Sequence, residues 1–250
     1  AEKFYNIKCR KTGLQPDLTV LVVTLQALKM HGGVDQEDIK KPNIEGMKNG
    51  YWNLDKHVKN LQSFGQTVVI AFNKFATDTD EEIEVLRQHC EEMGCGFAVN
   101  NAFAEGGKGA VELANLVVKT IDEHPSAPLY FAYKDDEPVE KKIEDVAFNL
   151  YGAGSVTMSD SAKAMIEEIK KLGAEKFPIC IAKTQYSFST DAKAYGPTEG
   201  FELHVRDITV NMGAEMIVVI AGPIMRMPGL PKSPQAERID VVNGEIVGLS

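Results

Sequence analysis

The sequence predicts an α/β protein. A wound parallel sheet fills residues 1–126, and a smaller α+β part with an antiparallel hairpin follows over residues 127–250. Three observations carry this expectation. Short apolar runs alternate with amphipathic helical patterns through the first half, the rhythm of a doubly wound sheet. That rhythm stops after "HPSAPLYF". Two period-two runs then lie close together near the end, as in a hairpin.

The elements follow in order. "LTVLVVTLQAL" (18–28) is β-branched and continuously apolar, which predicts a strand buried on both faces of a parallel sheet. The glycine pair of "KMHGGV" supplies a turn. In "NLDKHVKNLQSF" (53–64), Leu54, Val58 and Leu61 have helical spacing, with Asn53 as the predicted N-cap. "QTVVIAF" is a second buried strand. "DEEIEVLRQHCEEMG" is a helix with acids in its first turn, ended by Gly94. "GFAVN" reads as a third strand and "GAVELANLVVKTIDEH" as a third helix. Beyond the boundary, helices are expected over about 138–151 and 160–172, with short strands around 155–158 and 178–183. In "FELHVRDITV" the near-alternation of Phe201, Leu203, Val205, Ile208 and Val210 predicts one strand, joined through "NMG" to "AEMIVVIAG".

Composition narrows the partners. The 250 residues carry a net charge of −9 spread along the chain, which gives no footing for a phosphate backbone and predicts no nucleic-acid partner. No apolar run approaches the roughly 20 residues that span a bilayer, so no membrane partner is expected. Cys9, Cys90, Cys95 and Cys180 form no CxxC pair, which suits reduced thiols in a cytoplasmic protein. The opening "AEKFYNIKCR" has neither a methionine nor a clear cap or strand, and reads as a piece of something longer.

In open α/β sheets ligands sit beyond the carboxyl ends of the strands. Three segments are predicted there: "LQALKMHGG", "NKFATDTD" and "NNAFAEGGKGA". Thr77, Asp78 or Thr79 can cap a helix, which explains the acids of the second segment but not Asn73, Lys74 and Phe75. Asn-Lys after a buried strand suits guanine recognition only with Asp where Ala76 stands, so a GTPase is disfavoured. The glycine turn of the third segment presents backbone N–H groups to an anion, or serves tight packing. It is not a phosphate loop, which needs G-x-x-x-x-G-K followed by Ser or Thr. Phe75 and Phe103 both fall in strand-end loops, where two rings can hold a flat heterocycle. "KTQYSFS" reads equally as a cleft wall or a surface turn, and the prolines of "AGPIMRMPGLPKSP" predict an extended stretch.

Several of these segments resemble one family. "EKFYNIKCR", "VTLQALKMHGG", "NLDKHVKN", "NKFATDTDEE", "EGGKGAVELA", "AKTQYSFS" and "MPGLPKSPQAERID" are similar, in the same order, to segments of formate–tetrahydrofolate ligases. The resemblance runs over the whole chain and implies the C-terminal half of such an enzyme, with the first part belonging to a P-loop-type sheet domain. It implies an ATP-dependent reaction of formate with tetrahydrofolate, through formyl phosphate, to 10-formyltetrahydrofolate. Mg²⁺ would accompany ATP, and a homotetramer is common. The folate pocket would use Phe75, Thr77, Asp78, Phe103, Gly106 and Gly107; Thr24, Ala27, Asn73 and Lys74 would border the nucleotide. The departures are Gln26, Ala76 and Phe103, where the family usually has Arg, Pro and Trp. With no phosphate loop among these residues, no catalytic residue and no metal ligand is assigned to them, and the chain alone is expected to be inactive. The alternatives are a non-catalytic folate- or nucleotide-binding module, and a scaffold whose rings only pack.

Overall fold

The structure is a computed structural model describing residues 1–222, 224, 232–242 and 245–248. A π-helical segment Phe4–Cys9 runs into α1 (Arg10–Thr12) and ends at Gly13. Then comes β1 (Thr19–Val23), followed directly by α2 (Leu25–His31). The predicted strand 18–28 is therefore too long. Thr24 turns the chain, its Oγ1 accepting the Ala27 N–H at 3.1 Å as the cap of α2. Next come α3 (Ile44–Asn49), capped by Asn43, and α4 (Tyr51–Ser63), which starts after Gly50. Asn53 thus lies inside a helix rather than capping one. Gly50 is required by packing, since a Cβ there would sit 1.9 Å from the Leu28 carbonyl oxygen.

β2 (Val68–Asn73), α5 (Asp80–Glu92), β3 (Gly96–Asn100), α6 (Ala102–Glu105), a 3₁₀ segment Gly106–Ala110 and α7 (Val111–Glu123) complete the first part. The three strands pair in parallel in the order β1-β2-β3. β2 is central and buried along its length except at Asn73. β1, paired only with β2 among the described residues, buries Val23, half-buries Thr19 and Leu21 and leaves Val20 and Val22 exposed, so it is not the doubly buried strand its composition suggests. The described strands follow sequence order with no reversal. The doubly wound expectation therefore narrows to a three-stranded parallel α/β sheet.

The remainder holds α8 (Val139–Asp145) running into a π-helical turn Val146–Tyr151, β4 (Ser155–Met158), α9 (Asp160–Lys171) and β5 (Ile179–Ala182). The expected single strand 201–210 is two strands. β6 (Glu202–Val205) pairs in parallel with β4, whereas β7 (Asp207–Asn211) joins another sheet. β7 forms the predicted antiparallel hairpin with β8 (Met216–Ile220), and β8 also pairs in parallel with β5. β9 (Asp240–Val242) and β10 (Glu245–Val247) form a separate antiparallel ribbon. Of the proline-rich stretch 221–234, residues 223 and 225–231 lie outside the described residues. Buried apolar side chains form a core cluster that includes Leu28, Phe72 and Leu86 as well as Ile143, Ile166 and Ile217. Among the described residues no helix is long and apolar enough to cross a membrane.

Candidate functional site

The carboxyl ends of β2 and β3 are tied to each other. Asn73 and Asn100 occupy the same register, and the Asn100 Nδ2 donates to Asn73 Oδ1 at 2.8 Å. One residue on, the Lys74 N–H donates to the Asn100 carbonyl at 3.1 Å. Phe75 and Phe103 hang from these joined ends, two and three residues beyond the pair. Neither ring enters the core: Phe75 is 44% exposed and Phe103 is fully exposed. A buried apolar side chain stabilises by about 1.5–3 kcal/mol, so two phenyl rings left in water at one sheet end forgo a substantial gain. The sequence places both rings after strands, and the register sets those two strand ends side by side; neither ring lines either of the two cavities described below.

Each loop is held by its own hydrogen bonds. The Phe75 N–H donates to Asp78 Oδ2 at 2.8 Å, and the Asp78 N–H returns to the Phe75 carbonyl at 3.1 Å. Thr77 is at the exposed tip. Burial raises the Asp78 carboxyl above its ordinary range, against the Phe75 N–H and the charges of Lys29 and Lys74, which favour the carboxylate, while the Glu82 charge raises it further. On the other side, the Asn101 N–H bonds the Gly109 carbonyl at 2.9 Å and closes the turn that carries Phe103. Gly106 has φ +59, and a Cβ on it or on Gly107 would meet nothing within 4 Å, so both face open space. Gly109 differs, because its Cβ would lie 2.4 Å from the Asn101 oxygen. The glycine turn is the 3₁₀ segment Gly106–Ala110, which runs directly into α7 at Val111.

The four nucleotide-side candidates divide. Thr24, just past β1, and Ala27, in the first turn of α2, line a hollow of about 320 Å³ with Leu54 and His57. Asn73 and Lys74 end the neighbouring strand β2, where Lys74 Nζ is 3.2 Å from Asp80 Oδ1, and neither lines that hollow. A larger cavity of about 460 Å³ adjoins it, sharing Leu21, Asn53 and His57, and extends between α4, the opening residues and the 183–188 loop. "KTQYSFS" is thus a cleft wall. Lys183 Nζ points into its own loop and donates to the carbonyls of Thr184, Ser187 and Ser189, and burial lowers its pKa to about 8.

Two residues escaped sequence reasoning. Lys29 and Glu82 form an ion pair at 2.6 Å with side chains only 2% and 1% exposed. Burial alone would raise the Glu82 carboxyl. The Lys29 ammonium, the Asn43 N–H at 2.8 Å and the Thr79 hydroxyl at 2.9 Å together hold it below its ordinary value. In the sequence Glu82 reads only as one of the first-turn acids of α5, a position that needs no burial. A lysine on the buried face of "LQALKMH", beside Leu25 and Leu28, was the available signal. Among the described residues no group of three or more His, Cys, Asp or Glu side chains is placed to hold a metal ion.

The family model described as formate–tetrahydrofolate ligase matches residues 1–250. The chain is similar to the formate–tetrahydrofolate ligase of Bacteroides fragilis, at 65% identity over 250 residues, all of this chain and 45% of that protein. It is 64% identical to that of Bacteroides thetaiotaomicron over the same span, again 45% of the relative. The corresponding protein of Campylobacter curvus is 47% identical over 253 residues, 46% of its length. The chain therefore spans about half the length of the curated relatives it matches, and the expectation that it is their C-terminal half is withdrawn. A match along every residue, with relatives of one name, makes this chain a member of the formate–tetrahydrofolate ligase family.

Proposed function

We propose that this chain supplies the folate pocket and part of the nucleotide cleft of an ATP-dependent ligase. That ligase joins formate to tetrahydrofolate, giving 10-formyltetrahydrofolate, ADP and phosphate through formyl phosphate. Residues 1–126 act as the folate- and nucleotide-binding α/β domain and residues 127–250 as a smaller α+β domain. The observation that carries the reading is the pair of solvent-exposed rings, Phe75 and Phe103, on two strand ends joined through Asn73 and Asn100. A pterin between the rings would complete the packing that the protein leaves undone. Asp78 fixes the backbone under Phe75, Thr77 lies at the loop tip, and Gly106 and Gly107 leave space beside Phe103.

ATP would approach from the β1 side. Thr24 keeps a hydroxyl proton to donate, because its oxygen is the acceptor in the α2 cap. Lys74 and Asn73 offer an ammonium and an amide at the adjoining strand end. A phosphate cradle of backbone N–H groups, a lysine and an Mg²⁺-binding hydroxyl is what phosphoryl transfer to formate requires. Among the described residues no cluster of three or more His, Cys, Asp or Glu offers Mg²⁺ an all-protein cage, so the ion would be carried by the nucleotide. Here the chain binds and orients.

Substitution in the complete protein tests the reading. Phe75→Ala should weaken tetrahydrofolate binding by about 1–3 kcal/mol, the scale of a desolvated aromatic contact, and leave ATP binding unchanged. Unchanged tetrahydrofolate affinity in both Phe75→Ala and Phe103→Ala sinks it.

A further inference from the structure

We propose that the buried Lys29–Glu82 pair is a positioning device that holds the Phe75 loop against the end of β1. This rests on the reading of Phe75 as a folate contact. Glu82 divides its two oxygens between two tasks. Oε1 takes the Lys29 ammonium at 2.6 Å and the Asn43 N–H at 2.8 Å, and Oε2 takes the Thr79 hydroxyl at 2.9 Å. Lys29 Nζ also donates to the Lys41 carbonyl at 2.8 Å. One carboxylate thereby joins three elements: α2 after β1, the segment leading to α3, and the start of α5 after β2.

The linkage continues to the ring. Thr79 caps α5, accepting the Glu82 N–H at 3.3 Å, and directly follows Asp78, whose carboxylate holds the Phe75 N–H. Rotation of Glu82 would release the Thr79 hydroxyl and with it the register of residues 75–78.

Stability alone does not call for this arrangement. Replacing a buried ion pair with apolar residues of similar volume is often neutral or stabilising, because desolvation consumes the Coulombic gain. The α2–α3 contact is already fixed by close backbone approach, with a Cβ at Gly32 falling 1.8 Å from the Gly46 oxygen. What the pair adds is direction: a fixed ammonium, a carboxylate with both oxygens engaged, and a hydroxyl in line with the loop.

The experiment uses the complete protein with Lys29→Met/Glu82→Leu, Thr79→Val and Phe75→Ala variants. It reads the KM for tetrahydrofolate, the KM for ATP and the melting temperature. The apolar pair should melt near the parent and raise the tetrahydrofolate KM about tenfold with the ATP KM unchanged, the pattern of lost binding at one substrate. Thr79→Val, which keeps the ion pair, should shift the tetrahydrofolate KM in the same direction. An apolar pair that melts normally with a parental tetrahydrofolate KM overturns the proposal. If that variant does not fold, a parental tetrahydrofolate KM in Thr79→Val overturns it instead. Phe75→Ala separates the two levels. When it weakens folate binding and the pair variants do not, only the positioning role fails. When it has no effect, Phe75 is not a folate contact and the positioning role fails with it.

Discussion

Gly109→Ala should destabilise the protein, whereas Gly107→Ala, two residues away in the same turn, should not. At Gly109 the new Cβ would lie 2.4 Å from the Asn101 oxygen and 2.5 Å from its carbonyl carbon. Both are backbone atoms, so no side chain can swing aside and the turn must open. Overpacking of this kind costs about 1–3 kcal/mol. Opening also lengthens the Asn101 N–H to Gly109 carbonyl bond, 2.9 Å in the native turn, a further loss of about 1 kcal/mol. Reduced entropy of the unfolded chain returns about 0.4–1 kcal/mol. The net is a loss of about 1–3.6 kcal/mol, centred near 2, which at about 2–4 °C per kcal/mol for a chain of this size lowers Tm by several degrees. At Gly107 the Cβ meets nothing within 4 Å, so Tm should hold. Thermal denaturation followed by circular dichroism reads both, and tetrahydrofolate binding is measured on the same samples. A Gly109→Ala variant melting with the parent would refute the steric reasoning. Gly107→Ala should bind tetrahydrofolate more weakly despite its normal Tm; parental binding would remove the turn from the pocket.

Two further outcomes are expected. Tyr133 is 4% exposed, and burial pushes its phenol up to about 12, so the unfolded chain loses that proton from pH 10 while the folded one retains it. Stability present below pH 10 is therefore lost as pH rises towards 12, by about 3 kcal/mol from this group. Tyr133→Phe should show a shallower fall of Tm between pH 10 and 12, and equal slopes would contradict the assignment. These 250 residues by themselves should release no ADP in the presence of formate and tetrahydrofolate, because Lys108 is followed by Gly109 and no G-x-x-x-x-G-K-[Ser/Thr] occurs. Turnover above a heat-killed control would overturn that.

How far the sequence reaches depends on what each residue's neighbours along the chain disclose. β2 and β3 are legible as "QTVVIAF" and "GFAVN" because an apolar run bounded by turn residues has few other uses. The end of β1 is hidden because "LTVLVVTLQAL" stays largely apolar through the turn; only the Thr24 hydroxyl, which can cap, marks the change to helix. The break at Arg206 was present as a shift of phase. Phe201, Leu203 and Val205 occupy odd positions and Ile208 and Val210 even ones, so a single strand would have put the two sets on opposite faces. Leu203, Val205 and Ile208 are all buried because the chain changes sheets between them.

The candidate site divides along the same line. Phe75 and Phe103 could be singled out because a large apolar residue in a loop is conspicuous against its local sequence. Lys29 and Glu82 could not, because each satisfies a local rule on its own. A lysine near a helix end and a glutamate in a first turn are ordinary, and only their separation of 53 positions, closed by the β1–β2 crossover, makes them a pair. The prior against a buried lysine is strong, since removing an ammonium from water costs several kcal/mol without a partner. Where a helix such as "LQALKMH" sets Lys29 on its buried face beside Leu25 and Leu28, that cost becomes information. It requires an anion supplied by another element, and the nearest acid-rich helix start, "TDEE", lies one strand away.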